Sequence, residues 1–82
     1  MPDEILFTFP TTRAAIAGER ALLAAGLAAK VMPMPETLSA ECGIVLRLPP
    51  DELETGKHTL QTANISIQQI YFKQGEKLTI HA

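Results

Sequence analysis

Prolines cut the chain into short segments, and this spacing limits the elements of secondary structure that can form. Pro10 closes a first apolar segment, Pro33 lies in the second, and Pro49 directly follows the third. Proline cannot donate an amide hydrogen to a strand ladder and cannot continue a helix, so each position favours the end of an element. We therefore expect a fold built from short strands and helices.

The segments between the prolines differ in apolar periodicity. Alternating patterns rich in β-branched and aromatic residues predict strands over residues 4–9, 27–34, 43–48 and 65–72, with a short terminal strand over 78–81. A helical pattern predicts one helix over residues 12–25, and Gly26 follows it in the position of a left-handed cap. A second helix is predicted from Pro50 to a C-cap at Asn64. The apolar register slips between Ile67 and Ile70, which indicates a bulge at positions 68 and 69.

The order of these elements predicts the fold class. A chain of 82 residues has interior for one core, so we expect a single domain over residues 1–82. The order βαββαβ with right-handed crossovers predicts an α+β protein with a ferredoxin-like split βαβ fold. Its four-stranded antiparallel sheet, in the order 4-1-3-2, would carry two helices on one face, and residues 78–81 would add a short C-terminal strand.

The first helix is expected to pack closely on this sheet, with Arg13 and Arg20 turned outward. One face carries small and apolar residues at helical spacing: Ala15, Gly18, Leu22 and Ala25. Gly18 costs about 1 kcal/mol of helix propensity relative to Ala, and close approach of the backbone to the sheet explains that cost.

Charge and hydropathy exclude several classes of function. The net charge is −2, and the seven Lys and Arg residues are scattered, whereas a dedicated nucleic-acid binder needs a basic stripe. No apolar run approaches the roughly 18 residues that span a bilayer, and the N-terminus lacks the basic region of a signal peptide. We expect a cytoplasmic protein whose partners are proteins or small molecules, with no nucleic acid and no membrane.

Cys42 is the only cysteine, so it is either a buried small hydrophobe or a working thiol. In the predicted topology the third strand starts where the first strand ends. This puts Cys42 near Thr11, Thr12 and Arg13, at the N-terminus of the first helix. The partial positive charge of that helix end gives the thiol a physical reason for a lowered pKa.

The neighbours of Cys42 are small or polar, which favours an accessible thiol. Gly43 would allow another molecule to approach the sulfur closely, and Ser39 could donate a hydrogen bond to a thiolate. Glu41 would oppose ionisation. Arg47 is a weaker helper, because five residues of extended chain place it about 16 Å from Cys42.

Short motifs along the chain are shared with a known family. They are residues 8–12 (TFPTT), 25–27 (AGL), 34–35 (MP), 39–43 (SAECG) and 46–47 (LR). Together they resemble the selenium/sulfur carrier-like family of short bacterial proteins, whose members read Ser-Ser-x-Cys-Gly before an apolar strand that contains Leu-Arg. Ser39, Cys42 and Gly43 match that motif, and Ala40 departs from it at the second serine.

The resemblance implies that Cys42 carries sulfur or selenium as a persulfide or a selenyl-sulfide. In that chemistry a thiolate attacks an activated sulfur, and the terminal atom then passes to another thiol. The resemblance implies a carrier or accessory protein rather than a stand-alone enzyme, and such a carrier needs no cofactor. Its partner would be a cysteine desulfurase or an enzyme of selenium metabolism.

A second interpretation is an interaction or regulatory module without chemistry, which forms homodimers through the open face of its sheet. Leu6, Val45 and Tyr71 are expected on that face, where apolar surface needs cover. This interpretation holds even if Cys42 is inert, so a Cys42→Ser variant discriminates the two.

Two further functions have weaker support. An RNA-binding domain of this topology stacks bases on aromatic residues of its central strands, but the third strand has none, and Phe7 and Phe9 are expected in the core. Cys42, His58 and His81 lie at no recognised metal-ligand spacing, so we expect no metal site and both histidines in solvent.

Overall fold

The computed structural model describes residues 3–34 and 43–81. Its elements in chain order are strand β1 (Glu4–Thr8), helix α1 (Thr12–Ala24), strands β2 (Lys30–Pro33) and β3 (Ile44–Leu48), helix α2 (Leu53–Thr62), and strands β4 (Gln69–Gln74) and β5 (Lys77–Ile80). A 3-10 turn, Pro50–Glu52, leads into α2. The chain is therefore an α+β protein, as the order of periodicities predicts.

The strands form one antiparallel sheet in the order β2-β3-β1-β4-β5. Strands β1 and β2 each pair antiparallel with β3, so β1 and β2 run in the same direction on either side of it. The first four strands follow the predicted order. The sheet has five strands rather than four, because the terminal segment pairs with β4 along its length, from Tyr71↔Ile80 to Gln74↔Lys77.

The core lies between one face of the sheet and the two helices. Ile5, Phe7 and Phe9 alternate along β1 and its extension, and each is fully buried. Residues from both helices and from β3 join them in one cluster: Ala15, Leu22, Leu46, Leu48 and Leu60. The expectation that Phe7 and Phe9 belong to the core is confirmed.

Helix α1 begins and ends near the predicted residues. It ends at Ala24 with Ala25 as its C-cap, and Gly26 follows with a left-handed φ of +82°. Gly18 packs against the sheet as predicted, since a methyl group there would lie 3.0 Å from Phe9 Cζ. The expectation that Ala25 also packs on the sheet is wrong, because this capping residue is exposed.

Two strands begin later than the sequence pattern predicts, and the reason is the same for both. Strand β2 starts at Lys30 rather than at residue 27, and β4 starts at Gln69 rather than at residue 65. Leu27 N donates to Leu22 O at 3.0 Å, and Ile65 N donates to Leu60 O at 2.9 Å. These bonds close the helix ends, and the two apolar residues pack on the core from the caps.

The switch of apolar register before β4 coincides with an irregular pairing to β1. Gln69 is in register with Thr8, and the amide of Gln68 also donates to Thr8 O at 2.8 Å. Two residues therefore oppose one, as in a bulge. As a result Ile67 and Ile70 both pack against the core despite their odd spacing.

Within the described residues, neither helix is long and apolar enough to cross a membrane.

Candidate functional site

One end of the sheet brings together the N-terminus of α1 and the start of β3. Strand β1 runs toward this end and finishes at Thr8, and α1 begins nearby at Thr12. Because β3 is antiparallel to β1, its first residue, Ile44, lies at the same end. Gly43 directly precedes Ile44. We call this end of the molecule, with Thr11, Thr12 and Gly43, the α1 pole.

The predicted reactive residue, Cys42, and its predicted supporting residue, Ser39, lie outside the described residues. Gly43, which follows Cys42 in the sequence, lies at the pole where the topology predicted the thiol. The role of Cys42 stays a prediction.

Gly43 is exposed and has a left-handed backbone with φ of +72°. Its carbonyl accepts a hydrogen bond from Met34 N at 2.9 Å, which continues the β2–β3 pairing past the ends of both strands. A Cβ atom added at position 43 would meet no atom of the described residues within 4 Å. The main reason for a glycine at position 43 is therefore its backbone conformation, since few residues with a side chain adopt this φ. The sequence pattern indicated only its small size.

Thr11 forms the N-cap of α1. Its extended backbone precedes the helix, and its hydroxyl oxygen accepts a hydrogen bond from Ala14 N at 3.0 Å. Thr12 and Arg13 are exposed in the first turn, which contains no acidic residue. No carboxylate of the first turn therefore offsets the partial positive charge of this helix end.

Arg47 is engaged elsewhere in the fold. Its Nε lies 3.1 Å from Oε2 of Glu4, and Nζ of Lys73 lies 3.2 Å from Oε1 of the same carboxylate. Glu4 begins β1, so this cluster lies at the far end of the sheet from the α1 pole. The weak role expected for Arg47 at the Cys42 thiol stays a prediction. The three-strand cluster itself was missed, because it depends on the cross-strand pairing.

A comparison with protein families identifies the chain. A family model described as "Putative Se/S carrier protein-like" matches residues 4–72, which is most of the sequence. The chain belongs to this Se/S carrier-like family. The matched range includes Cys42, Gly43, both helices and the first strand, in agreement with the motifs in the sequence. No curated protein and no solved structure matches the chain.

The face of the sheet opposite the helices buries two of the apolar residues on which the dimer interpretation relies. Leu6 and Val45 are only 3% and 1% exposed, although they lie outside the helix-covered cluster. Leu6 is paired between Arg47 and Tyr71, whose long side chains flank it. These two residues therefore offer little apolar surface to a partner. Tyr71 is half-buried.

The histidines do not share a site in the structure. His58 is exposed on α2, as expected. The expectation that His81 lies in solvent holds only in part, because the residue is half-buried and its ring centroid lies 5.0 Å from that of Phe72. Among residues 3–34 and 43–81, no three His, Cys, Asp or Glu side chains are placed to hold a metal ion.

Proposed function

We propose that this Se/S carrier-like protein holds a persulfide or selenyl-sulfide on Cys42 and hands the terminal atom to a partner protein. The observation that carries the proposal is the family match over residues 4–72, a range that contains Cys42, Gly43 and Ser39. The partner would be a cysteine desulfurase or an enzyme of selenium metabolism. A free carrier thiol needs a reducing compartment, which suits the cytoplasm.

The described geometry supports a reactive thiol. Gly43 follows Cys42 in sequence and lies at the α1 pole, where the helix dipole favours negative charge. The first turn of α1 has no acidic residue to counter this effect. We therefore expect the pKa of the Cys42 thiol to lie below its ordinary value of about 8.5.

The proposed transfer is a thiol exchange that needs no external oxidant. The Cys42 thiolate attacks the outer sulfur of a cysteine persulfide on the donor, and a new S–S bond forms on Cys42. The S–S bond of the donor breaks, and its cysteine leaves as a thiolate with the electron pair. The acceptor thiolate then repeats the step on the Cys42 persulfide. With a selenium donor, the transferred atom is selenium.

Intact-mass spectrometry tests this function. The full chain is incubated with a cysteine desulfurase and cysteine, and we expect the mass of one added sulfur, mapped by proteolysis to Cys42 and removed by a thiol reductant. The Cys42→Ser variant should gain no mass. A parallel incubation with selenocysteine and a selenocysteine-cleaving enzyme decides between sulfur and selenium. An unmodified wild-type chain after turnover of both donors would contradict the proposal.

The competing interpretation gives a different result in the same samples. A homodimer formed through the open sheet face would survive Cys42→Ser and would dissociate when Ile80, which is 59% exposed, is replaced by a charged residue. Size-exclusion chromatography with light scattering measures the oligomeric state of these variants.

We also propose that the fold is a ferredoxin-like split βαβ with β5 added at one edge.

A further inference from the structure

Helix α1 presents large apolar side chains to solvent on the side that turns away from the sheet. Ile16 is 43% exposed and Leu23 is 50% exposed. The buried residues Ala15, Gly18 and Leu22 form a separate stripe on the same helix. The core therefore does not explain the two exposed residues.

Two arginines flank this apolar surface. Arg13 and Arg20 are exposed, and together with Ile16 and Ala17 they line a shallow depression of about 490 Å³. We call Arg13, Ile16, Ala17, Arg20 and Leu23 the α1 outer surface. Positions 13, 16, 17, 20 and 23 share one side of a helix because they are three or four residues apart.

The charges of the α1 outer surface have no partner within the described part of the chain. The ion pairs among the described residues involve Arg47, Lys57 and Lys73. Neither Arg13 nor Arg20 takes part in one. Arg13 also stands in the first turn of α1, where the helix dipole disfavours a cation. Helix stability therefore explains neither the cation at position 13 nor the exposed apolar residues.

We propose that the α1 outer surface binds a protein partner that presents an apolar side chain between two carboxylates. Arg13 and Arg20 are seven residues apart, so their backbones are separated by about 10 Å along the helix axis. Acidic residues seven apart on a partner helix have the same separation. Ile16 and Ala17 supply the apolar floor between the two charges. Complementary charges at this spacing would orient the partner.

The surface consists of α1 residues alone, so the inference does not require the proposed chemistry. If the proposed function is right, the partner is the protein that exchanges sulfur with Cys42. Arg13 lies in the first turn of α1, at the α1 pole, so a partner bound to this surface would extend to that pole.

The test is an NMR titration of the isotope-labelled full chain with a synthetic helical peptide that carries two Glu residues seven apart and a Leu between them. We expect amide shifts confined to α1. The Arg13→Glu/Arg20→Glu variant should bind at least about tenfold more weakly, because like charges then face each other. Lys30→Glu/Lys77→Glu has the same net charge with its changes outside α1, and it should bind like the wild type.

A second variant separates binding from folding. Ile16→Ser keeps both arginines and should also weaken binding, while circular dichroism stays that of the wild type. Arg13→Glu puts an acid in the first turn, where it favours the helix, so loss of binding in that variant cannot be assigned to unfolding. Equal binding by all variants, or by a peptide with Lys in place of Glu, would overturn the inference.

Two further controls give the result its meaning. Binding of anionic phospholipid vesicles through the same arginines, without binding of the peptide, would replace the protein partner by a membrane and would contradict the inference. The Cys42→Ser variant should bind the peptide normally. A failed sulfur loading with intact peptide binding removes only the proposed function, and the reverse result removes only this surface.

Discussion

Gly18 of α1 lies directly over Phe9, where an added methyl group would make contacts tighter than ordinary van der Waals packing. A methyl carbon at position 18 would lie 3.0 Å and 3.1 Å from two ring carbons of Phe9 and 3.3 Å from Leu46 Cδ1. Phe9 is fully buried, so its ring has little space into which it can move. The glycine thus sets the distance between α1 and the sheet.

We therefore expect Gly18→Ala to destabilise the protein. Overpacking of about 1–3 kcal/mol should exceed the gain in helix propensity of about 1 kcal/mol. Gly56→Ala in α2 is the matched control, because the added methyl carbon would have more space. It would lie 3.3 Å from Phe7 Cε2 and 3.4 Å from Leu48 Cδ2. Urea denaturation measures both variants. Equal free energies of unfolding would show that α1 adjusts its distance freely.

The left-handed backbone at Gly43 predicts a cost for any ordinary side chain. Gly43→Ala should lose about 1–2 kcal/mol of unfolding free energy, and Gly43→Asn should lose less. Gly75→Ala is the control, since Gly75 has φ of +60° and an added Cβ atom there likewise meets no described atom within 4 Å. Both Ala variants should be destabilised, but only Gly43→Ala should slow sulfur loading of Cys42. A loading rate that changes equally in both would assign the effect to stability alone.

Glu4 is shared by two cations, so its removal should matter more than that of a single surface partner. Its side chain is only 18% exposed, and Arg47 and Lys73 contact its two oxygens. We expect Glu4→Gln to cost about 1–2 kcal/mol, less at high salt. Glu54→Gln, whose side chain is 81% exposed and 3.7 Å from Lys57, should cost less than about 0.5 kcal/mol. Urea denaturation at two salt concentrations compares them.

The N-cap of α1 offers a test of the electrostatics at its pole. Thr11→Ser and Thr11→Asp both keep a capping oxygen for Ala14 N, but Thr11→Asp adds a negative charge. If Cys42 lies near this helix end, Thr11→Asp should raise the pKa of its thiol and lower its thiolate fraction at neutral pH. The rate of iodoacetamide alkylation against pH measures this. Identical profiles for the two variants would place Cys42 beyond the influence of the cap.

Most of the fold could be predicted because its elements are punctuated by residues with strong local preferences. Gly26, Asn64 and Pro50 mark helix boundaries through backbone conformations that they adopt more readily than other residues do. The starts of β2 and β4 could not be predicted. Leu27 and Ile65 are apolar residues at helix caps, and their pattern does not distinguish a cap contact from the first residue of a strand.

Some features of the candidate site could likewise be predicted from the sequence, and others could not. The shared pole of Gly43 and Thr11 follows from topology, which the order of the elements predicts well. The φ of Gly43 and the ion pairs of Glu4 depend on tertiary pairing and carry no local signal. The exposure of Ile16 could not be predicted either, because a helical pattern shows which residues can face the core but not the width of the buried stripe.

The hydrogen bond between Met34 N and Gly43 O ties together the two ends of the segment that contains Cys42. The pairing of β2 with β3 therefore continues up to the first and last residues of this loop. The entropic cost of closing a loop rises only slowly with its length, by about 0.6 kcal/mol per doubling. Insertions or deletions between Met34 and Gly43 should therefore cost little loop-closure entropy as long as this hydrogen bond is kept.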